Sequence, residues 1–311
     1  MVATKRGVAI LGIFVADLAF RANRMPRVGE TITGSGFKMG PGGKGSNQAV
    51  AAARVGADVT FISRLGKDEF GASALATWQK EGIRARVVET MDEPTGAAFI
   101  YVNDRTGDNA IIVFPGAAGA ITTADVDAAA DAIGNAAVFV TQLEQSVAAA
   151  QRGLEIAKKA GVVTVFNPAP AVPVADTVYS LCDYVTPNES EAGLLTGIAV
   201  ASIDGARRAG DIFLAKGAGA AVITLGKAGA LLHSPDVSIL IPAFDAGSVV
   251  ETAGAGDAFN GGFAAAIARG AVPEEAARFA SAVAGISVTR AGTAPSMPRL
   301  EEVELLLAQQ R

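Results

Sequence analysis

Apolar, β-rich runs alternate with alanine-rich helical runs that end in glycine, and few folds accommodate that order. Residues 7–15 read as a buried first strand. Residues 46–55 read as a helix that Gly56 stops, and 57–63 as a second strand. Residues 68–81 form a further helix carrying Trp78, with Gly82 as its stop. The pattern resumes with a threonine-capped helix over 122–133, a strand over 136–141 and a helix over 147–160 stopped by Gly161. Strands follow at 162–166, 183–186 and 220–224, then an antiparallel pair at 231–234 and 238–241. Helices over 274–288 and 301–309 close the chain. The expected fold is α/β: a doubly wound, mostly parallel sheet flanked by helices. With no linker and no repeat, one domain over 1–311 is expected.

Two stretches break the alternation. Over 26–39, Thr31, Thr33, Ser35 and Phe37 alternate with small and apolar residues, which suggests exposed strand. Residues 95–102 and 110–114 are extended runs joined by the charged turn 103–108, a hairpin signal. Together they predict about four antiparallel strands, within about 14–40 and 95–115, as a small β-sheet lid over the crevice.

Composition excludes several classes. Half of the 311 residues are hydrophobic, enough for a large core. A net charge of -5 gives no electrostatic case for nucleic acid or an anionic membrane. No apolar stretch is long enough to span a bilayer. Lys5 and Arg6 precede an apolar run as in a signal peptide, but the run is short and Asp17 and Arg21 follow it at once. Cys182 is the sole cysteine, which fits a reducing, cytoplasmic setting.

The chemistry-bearing stretch is 251–263, Glu-Thr-Ala-Gly-Ala-Gly-Asp-Ala-Phe-Asn-Gly-Gly-Phe. It reads as a strand end, a glycine turn and a helix. Gly254 and Gly256 permit the turn and a close ligand, and the first-turn N–H groups face an anion. Asp257 in that turn either balances the helix dipole or acts as a base beside an anion hole. A second glycine loop, 40–47, feeds the helix at 46–55 and offers Lys44 and Asn47 to polyhydroxyl or phosphate groups. It is not a Walker A loop, because Gly45 follows Lys44. Gly40, Gly42 and Gly45 have dinucleotide-fingerprint spacing, but the first βα turn, near Gly12, should carry that motif. Polar residues recur after strand ends: Asp17, Glu144, Asn167, Asn188 with Glu191, and Thr224. One crevice at the carboxyl edge of the sheet accounts for all of them. Gly226 and Gly229 allow a turn that lies flat on a planar ligand. The only histidine, His233, is expected to be structural, which sets aside histidine-based catalysis and most transition-metal sites. Phosphoryl transfer to a polyol fits what remains, since it needs positioning and electrostatics more than covalent catalysis.

Residues 252–261 resemble the C-terminal signature of the ribokinase-like (PfkB) carbohydrate kinase family, and 42–49 its N-terminal signature. Residues 186–191, 167–170 and 223–226 match further family segments in order and at similar spacing. The resemblance covers nearly the whole chain. It implies an ATP-dependent kinase that transfers the γ-phosphoryl group to a hydroxyl of a small sugar, such as D-ribose to D-ribose 5-phosphate. On that resemblance Asp257 is the base, and Gly254, Ala255 and Gly256 form the anion hole. Asp17, Gly42, Gly43, Lys44, Asn47 and Glu144 hold the sugar. Asn188 and Glu191 sit near the magnesium–phosphate group, the metal keeping most of its waters. Thr224, Gly226 and Gly229 line the adenine side, with Ser281 nearby. Glu251, Ala253, Ser287, Arg290, Gly292 and Ser296 ring an activating monovalent cation, usually potassium, mainly through carbonyl oxygens. The lid strands close over the sugar and pair two copies into a homodimer.

This chain departs from the family pattern twice. Val15 stands where the family carries an asparagine that bonds a sugar hydroxyl, so 2-deoxyribose, another pentose or a ketohexose is an alternative substrate. Glu251 replaces the usual aspartate at the cation site. Rival readings are a nucleoside kinase, which needs an aromatic cage, a non-catalytic sugar-binding protein, and a nicotinamide oxidoreductase resting on the lone glycine match.

Overall fold

The computed structural model describes residues 7–310. Lys5 and Arg6 lie outside the described residues. Along the chain the elements are β1 (Gly7–Leu11), β2 (Val15–Ala22), β3 (Gly36–Gly42), α1 (Lys44–Arg54), β4 (Asp58–Gly66), α2 (Glu69–Lys80) and β5 (Arg84–Thr90). Then come β6 (Thr95–Asn103), β7 (Asn109–Gly116), α3 (Thr123–Ala128), α4 (Ala130–Gly134), β8 (Val138–Thr141), α5 (Val147–Lys159) and β9 (Val163–Phe166). After α6 (Asp176–Tyr179) follow β10 (Tyr184–Val185), α7 (Glu189–Thr196), α8 (Ile203–Ala215), β11 (Ala220–Thr224), β12 (Ala230–His233) and β13 (Ser238–Ile241). The last helices are α9 (Ala255–Ala268), α10 (Pro273–Ser287) and α11 (Leu300–Gln309).

Nine strands form the main sheet in the order β13-β12-β11-β10-β9-β8-β1-β4-β5. All neighbours are parallel except β11–β12 and β12–β13. Helices cover both faces, so inner strands such as β1 and β8 are buried along their length rather than alternating, with Thr141 the one polar residue between them. One hydrophobic cluster joins α1, α9 and α10 to the sheet, and a second joins α5 and α8 to its other face.

The remaining four strands make the small sheet, β3-β2-β6-β7. It is mixed rather than antiparallel, because β2 runs parallel to β6, with Val15 opposite Gly96 and Asp17 opposite Ala98. The apolar run expected at 7–15 is two strands in two sheets. β1 ends at Leu11, and the chain crosses to the small sheet at Gly12, where a Cβ would lie 2.5 Å from Oε1 of Gln142 and 2.8 Å from the Cα of Gly45. Hydropathy cannot register such a break, since both sides of it are buried. Asp17 therefore sits inside a strand of the small sheet, not at the end of a core strand.

Other boundaries differ for local reasons. No strand forms between Ala22 and Gly36, so Thr31, Thr33 and Ser35 are irregular, and the glycine loop from Gly40 to Gly42 is itself the end of β3. The helix expected from Ser46 begins at Lys44. The 122–133 helix breaks at Ala129. β5, exposed on most of its length and rich in Arg and Glu, carries no strand-like apolar signal. No strand feeds the turn before α9: β13 ends at Ile241 and an irregular segment leads to Gly254. No helix among the described residues is long and apolar enough to cross a membrane.

Candidate active site

Two helices meet at the carboxyl edge of the sheet, and both begin at a glycine. α1 starts after Gly43 (φ 87°) and α9 after Gly254 (φ 80°), with no side-chain cap at either. Positive φ there is accessible to glycine at little cost and to other residues only with strain. α9 sends Asp257 inward from its first turn, and the side chain is 7% exposed. α1 presents Lys44, Asn47 and Gln48, three and four residues apart and so on one face.

These groups converge. Nδ2 of Asn47 donates to Oδ2 of Asp257 at 2.9 Å, and Nε2 of Gln48 donates to Oδ1 at 3.2 Å. Burial pushes the Asp257 carboxyl above the ordinary aspartate range, opposed by the Lys44 charge and by these two donors. Burial disfavours the Lys44 ammonium, but Asp257, Glu144 and Glu191 outweigh it and hold Lys44 above its usual value. The backbone N–H of Lys44 donates to Oε2 of Glu144 at 2.7 Å. Burial raises Glu144 to about 7 and Asp17 to about 6. The Thr293 side chain lies within hydrogen-bond reach of Asp17 and opposes that rise, while its single hydroxyl hydrogen goes to the Pro41 carbonyl at 3.1 Å. The Asp17 carboxylate lies against Gly42, where a Cβ would come within 2.2 Å of it. Asp17, Gly42, Lys44, Asn47, Glu144 and Asp257 therefore lie close together around the start of α1, with Gly43 joining Gly42 to Lys44.

At the start of α9 the Ala255 N–H is spent on the Thr252 carbonyl at 3.2 Å. The Gly256 and Asp257 N–H groups belong to the first turn, where the helix supplies no acceptor. A Cβ on Gly256 would meet nothing within 4 Å, so open space lies before it. The first-turn N–H groups of α9 left without an acceptor are thus those of Gly256 and Asp257, with Gly254 setting the turn.

Asn188 and Glu191 make a capping box on α7: Oδ1 of Asn188 accepts from the Glu191 N–H at 2.8 Å, and Oε2 of Glu191 from the Asn188 N–H at 2.9 Å. Asn188 pairs in a parallel bridge with Thr224, which places the two at adjacent strand ends. Burial raises Glu191, and Lys44 opposes that. Gly226 (φ 51°) and Gly229 (φ 104°) bound a single 3-10 turn after β11. Ser281 on α10 is 6% exposed, and its hydroxyl has no hydrogen-bond partner among the described residues.

Glu251 and the 287–296 loop are joined. Oε2 of Glu251 accepts from the Gly292 N–H at 2.8 Å, and its own N–H donates to the Val288 carbonyl at 3.2 Å. The Ser296 hydroxyl donates to the Thr293 carbonyl at 2.7 Å, and the Arg290 guanidinium pairs with Glu302. Arg54 at the end of α1 ties this loop down by donating to the carbonyls of Ala294, Pro295 and Met297. Carbonyl oxygens with one carboxylate are donors suited to a large monovalent cation. No group of three His, Cys, Asp or Glu placed to hold a metal exists among the described residues. His233 is engaged by Ser238 and Asp211, each at 2.9 Å, on the far edge of the sheet.

Three polar residues of the site escaped the sequence reading. Gln48 lies four residues after Lys44, so helical spacing could have found it. Gln142 and Thr293 carry no local signal.

The pfkB family carbohydrate kinase model matches residues 5–300. The ribokinase of Haemophilus influenzae is 38% identical over 304 residues, covering 97% of this chain and 99% of that protein. The deoxyribokinase of Salmonella typhi is 36% identical over 297 residues, covering 95% and 96%. Among solved structures, the ribokinase of Thermotoga maritima superposes with a TM-score of 0.88 at 33% identity, covering 97% and 99%. That of Arabidopsis thaliana, solved with ribose and ATP, gives a TM-score of 0.88 at 29% identity, covering 97% and 98%. The chain belongs to the pfkB family of carbohydrate kinases, as a ribokinase-like sugar kinase.

Proposed function

We propose that this enzyme transfers the γ-phosphoryl group of ATP to a hydroxyl of D-ribose, giving D-ribose 5-phosphate. One observation carries the reading: a buried carboxylate at an open helix start, held by Asn47 and Gln48 beside Lys44. Asp257 takes the proton of the sugar hydroxyl. The Gly256 and Asp257 N–H groups receive the developing charge on the transferring group. Lys44 adds a fixed positive charge, and burial keeps water from competing. Asp17, Gly42, Gly43, Asn47 and Glu144 hold the sugar, and Thr224, Gly226, Gly229 and Ser281 take the nucleotide. The unpartnered Ser281 hydroxyl supports its having a ligand to bond.

Magnesium bound with ATP would supply charge neutralisation on the phosphates. Glu191, whose capping bond uses Oε2, has a second oxygen for a metal-bound water, and Asn188 holds it in place. Potassium would be held by Glu251 and the oxygens of Ala253, Ser287, Arg290, Gly292 and Ser296, stiffening the loop beside the anion hole. The strand Asn109–Phe114 of the small sheet is exposed throughout and includes Ile111, Ile112, Val113 and Phe114. That apolar surface supports a homodimer formed through the lid strands. The single cysteine supports a cytoplasmic setting.

A second reading, 2-deoxyribose, is favoured by Val15. It lies two residues from Asp17 on the same face of β2, 4% exposed among Ile13, Ile62 and Ala98. An apolar side chain there offers no partner to a hydroxyl. ADP release with magnesium and potassium across ribose, 2-deoxyribose, arabinose, xylose, fructose and nucleosides decides between them. Ribose ahead of 2-deoxyribose supports the first reading. The reverse order, with Val15→Asn moving the preference toward ribose about tenfold or more, supports the second. Absence of any sugar-dependent ADP would refute both.

A further inference from the structure

Behind Asp257 lies a buried chain of amides. Asn167 donates from Nδ2 to the Thr186 carbonyl at 2.8 Å. A carbonyl only accepts, so Oδ1 of Asn167 faces the other way, toward Gln48. Nε2 of Gln48 meets it at 3.2 Å and is also 3.2 Å from Oδ1 of Asp257. Oε1 of Gln48 then points away from both and accepts from Nε2 of Gln142 at 2.6 Å. Gln142 is seated between Gly12 and Gly45, neither of which has room for a Cβ. Both glutamines are 0% exposed.

We propose that Gln48 is a positioning residue for Asp257, its amide oriented by Asn167 and Gln142 so that its donor fixes the carboxylate in the attitude in which it takes the substrate proton. The inference rests on Asp257 being the base. Asn47 ties the other carboxylate oxygen, so one helix holds both. Gln48 donates only to lone pairs and so favours the ionised form. Other charged groups face Asp257 from every side: Lys44 on α1 favours ionisation, while Glu144 after β8, Asp17 on β2 and Glu191 on α7 oppose it. Removing the Gln48 donor moves Asp257 further up. A reaction that needs it ionised then fails at a higher pH as the solution is acidified.

The test is kcat at saturating sugar and magnesium–ATP from about pH 5 to 9 for the native enzyme, Gln48→Met and Gln142→Met. Gln48→Met is expected to move the acid limb up by about one pH unit and to lower kcat about tenfold at neutral pH, with sugar KM within about threefold. Gln142→Met, which leaves the donor but frees its orientation, is expected to move the limb the same way by less. An acid limb that coincides with the native one in both variants would overturn the proposal, whatever the change in kcat. If Gln48→Met does not fold, Gln142→Met decides alone. A native enzyme with an acid limb and an inactive Asp257→Asn keep the base assignment standing in that event. Turnover by Asp257→Asn close to the native rate would overturn the assignment and this proposal with it.

Discussion

Two contrasting kinds of start are found among the helices of this chain. α2, α5, α7 and α8 start behind Asp68, Ser146, Asn188 and Ser202, whose side chains accept from the third residue of the helix. α1 and α9 start behind glycines at positive φ and have no side-chain cap. An ordinary cap satisfies the helix and is worth about 1 kcal/mol. A glycine start forgoes that and leaves the first turn open to something else. The two open starts also differ from each other. α1 spends its N–H groups inside the protein, on Glu144 and the Ile13 carbonyl, and offers side chains to the crevice. α9 keeps backbone donors free and contributes one side chain, Asp257. Under the proposed function, α1 is the sugar's platform and α9 the phosphate's.

Breaking the open starts should cost activity first. Gly254→Ala forces a Cβ into positive φ and to 3.2 Å from Thr293. Steady-state ADP release is expected to fall about 10- to 100-fold, with a loss of about 1–2 kcal/mol in a urea melt. Glu144→Gln keeps the hydrogen-bond acceptor but removes the charge. A sugar KM raised about tenfold is expected, and the rise of the native KM on acidification through about pH 7 should flatten in this variant.

The same residue sharpens the comparison through stability. Its folded value lies above the unfolded one, so the folded state binds the extra proton between the two. Stability of the ligand-free protein is fully present below the unfolded value and is lost as pH rises toward about 7. Urea midpoints should therefore fall from about pH 5 to 8, and fall less in Glu144→Gln. Ser202→Ala, at an ordinary start, is the smallest effect: about 1 kcal/mol of stability, and kcat within about twofold. A kcat loss in Ser202→Ala as large as in Gly254→Ala would erase the distinction between the two kinds of start.

The alternation of runs and glycine stops made the main sheet legible, because a parallel sheet covered on both faces leaves uninterrupted apolar strands. The same property hid the crossing at Gly12: two buried strands in different sheets look like one. Consequently Asp17 read as following the end of a core strand, although it falls within the bounds expected for the lid and lies inside β2. β5 was missed because its side chains face solvent at an edge. In the site, signature residues such as Lys44, Asn47 and Asp257 stood out by type and spacing. Gln142 and Thr293 did not, since they reach the crevice only through contacts between segments far apart in sequence.

The most direct test of the account separates binding from chemistry at α9. In Asp257→Asn, calorimetry should find the sugar and magnesium–ATP bound within about tenfold of native affinity. Single-turnover phosphoryl transfer in the same variant should fall at least about 100-fold. Transfer within about tenfold of native, with binding intact, would contradict the assignment of Asp257 as the base.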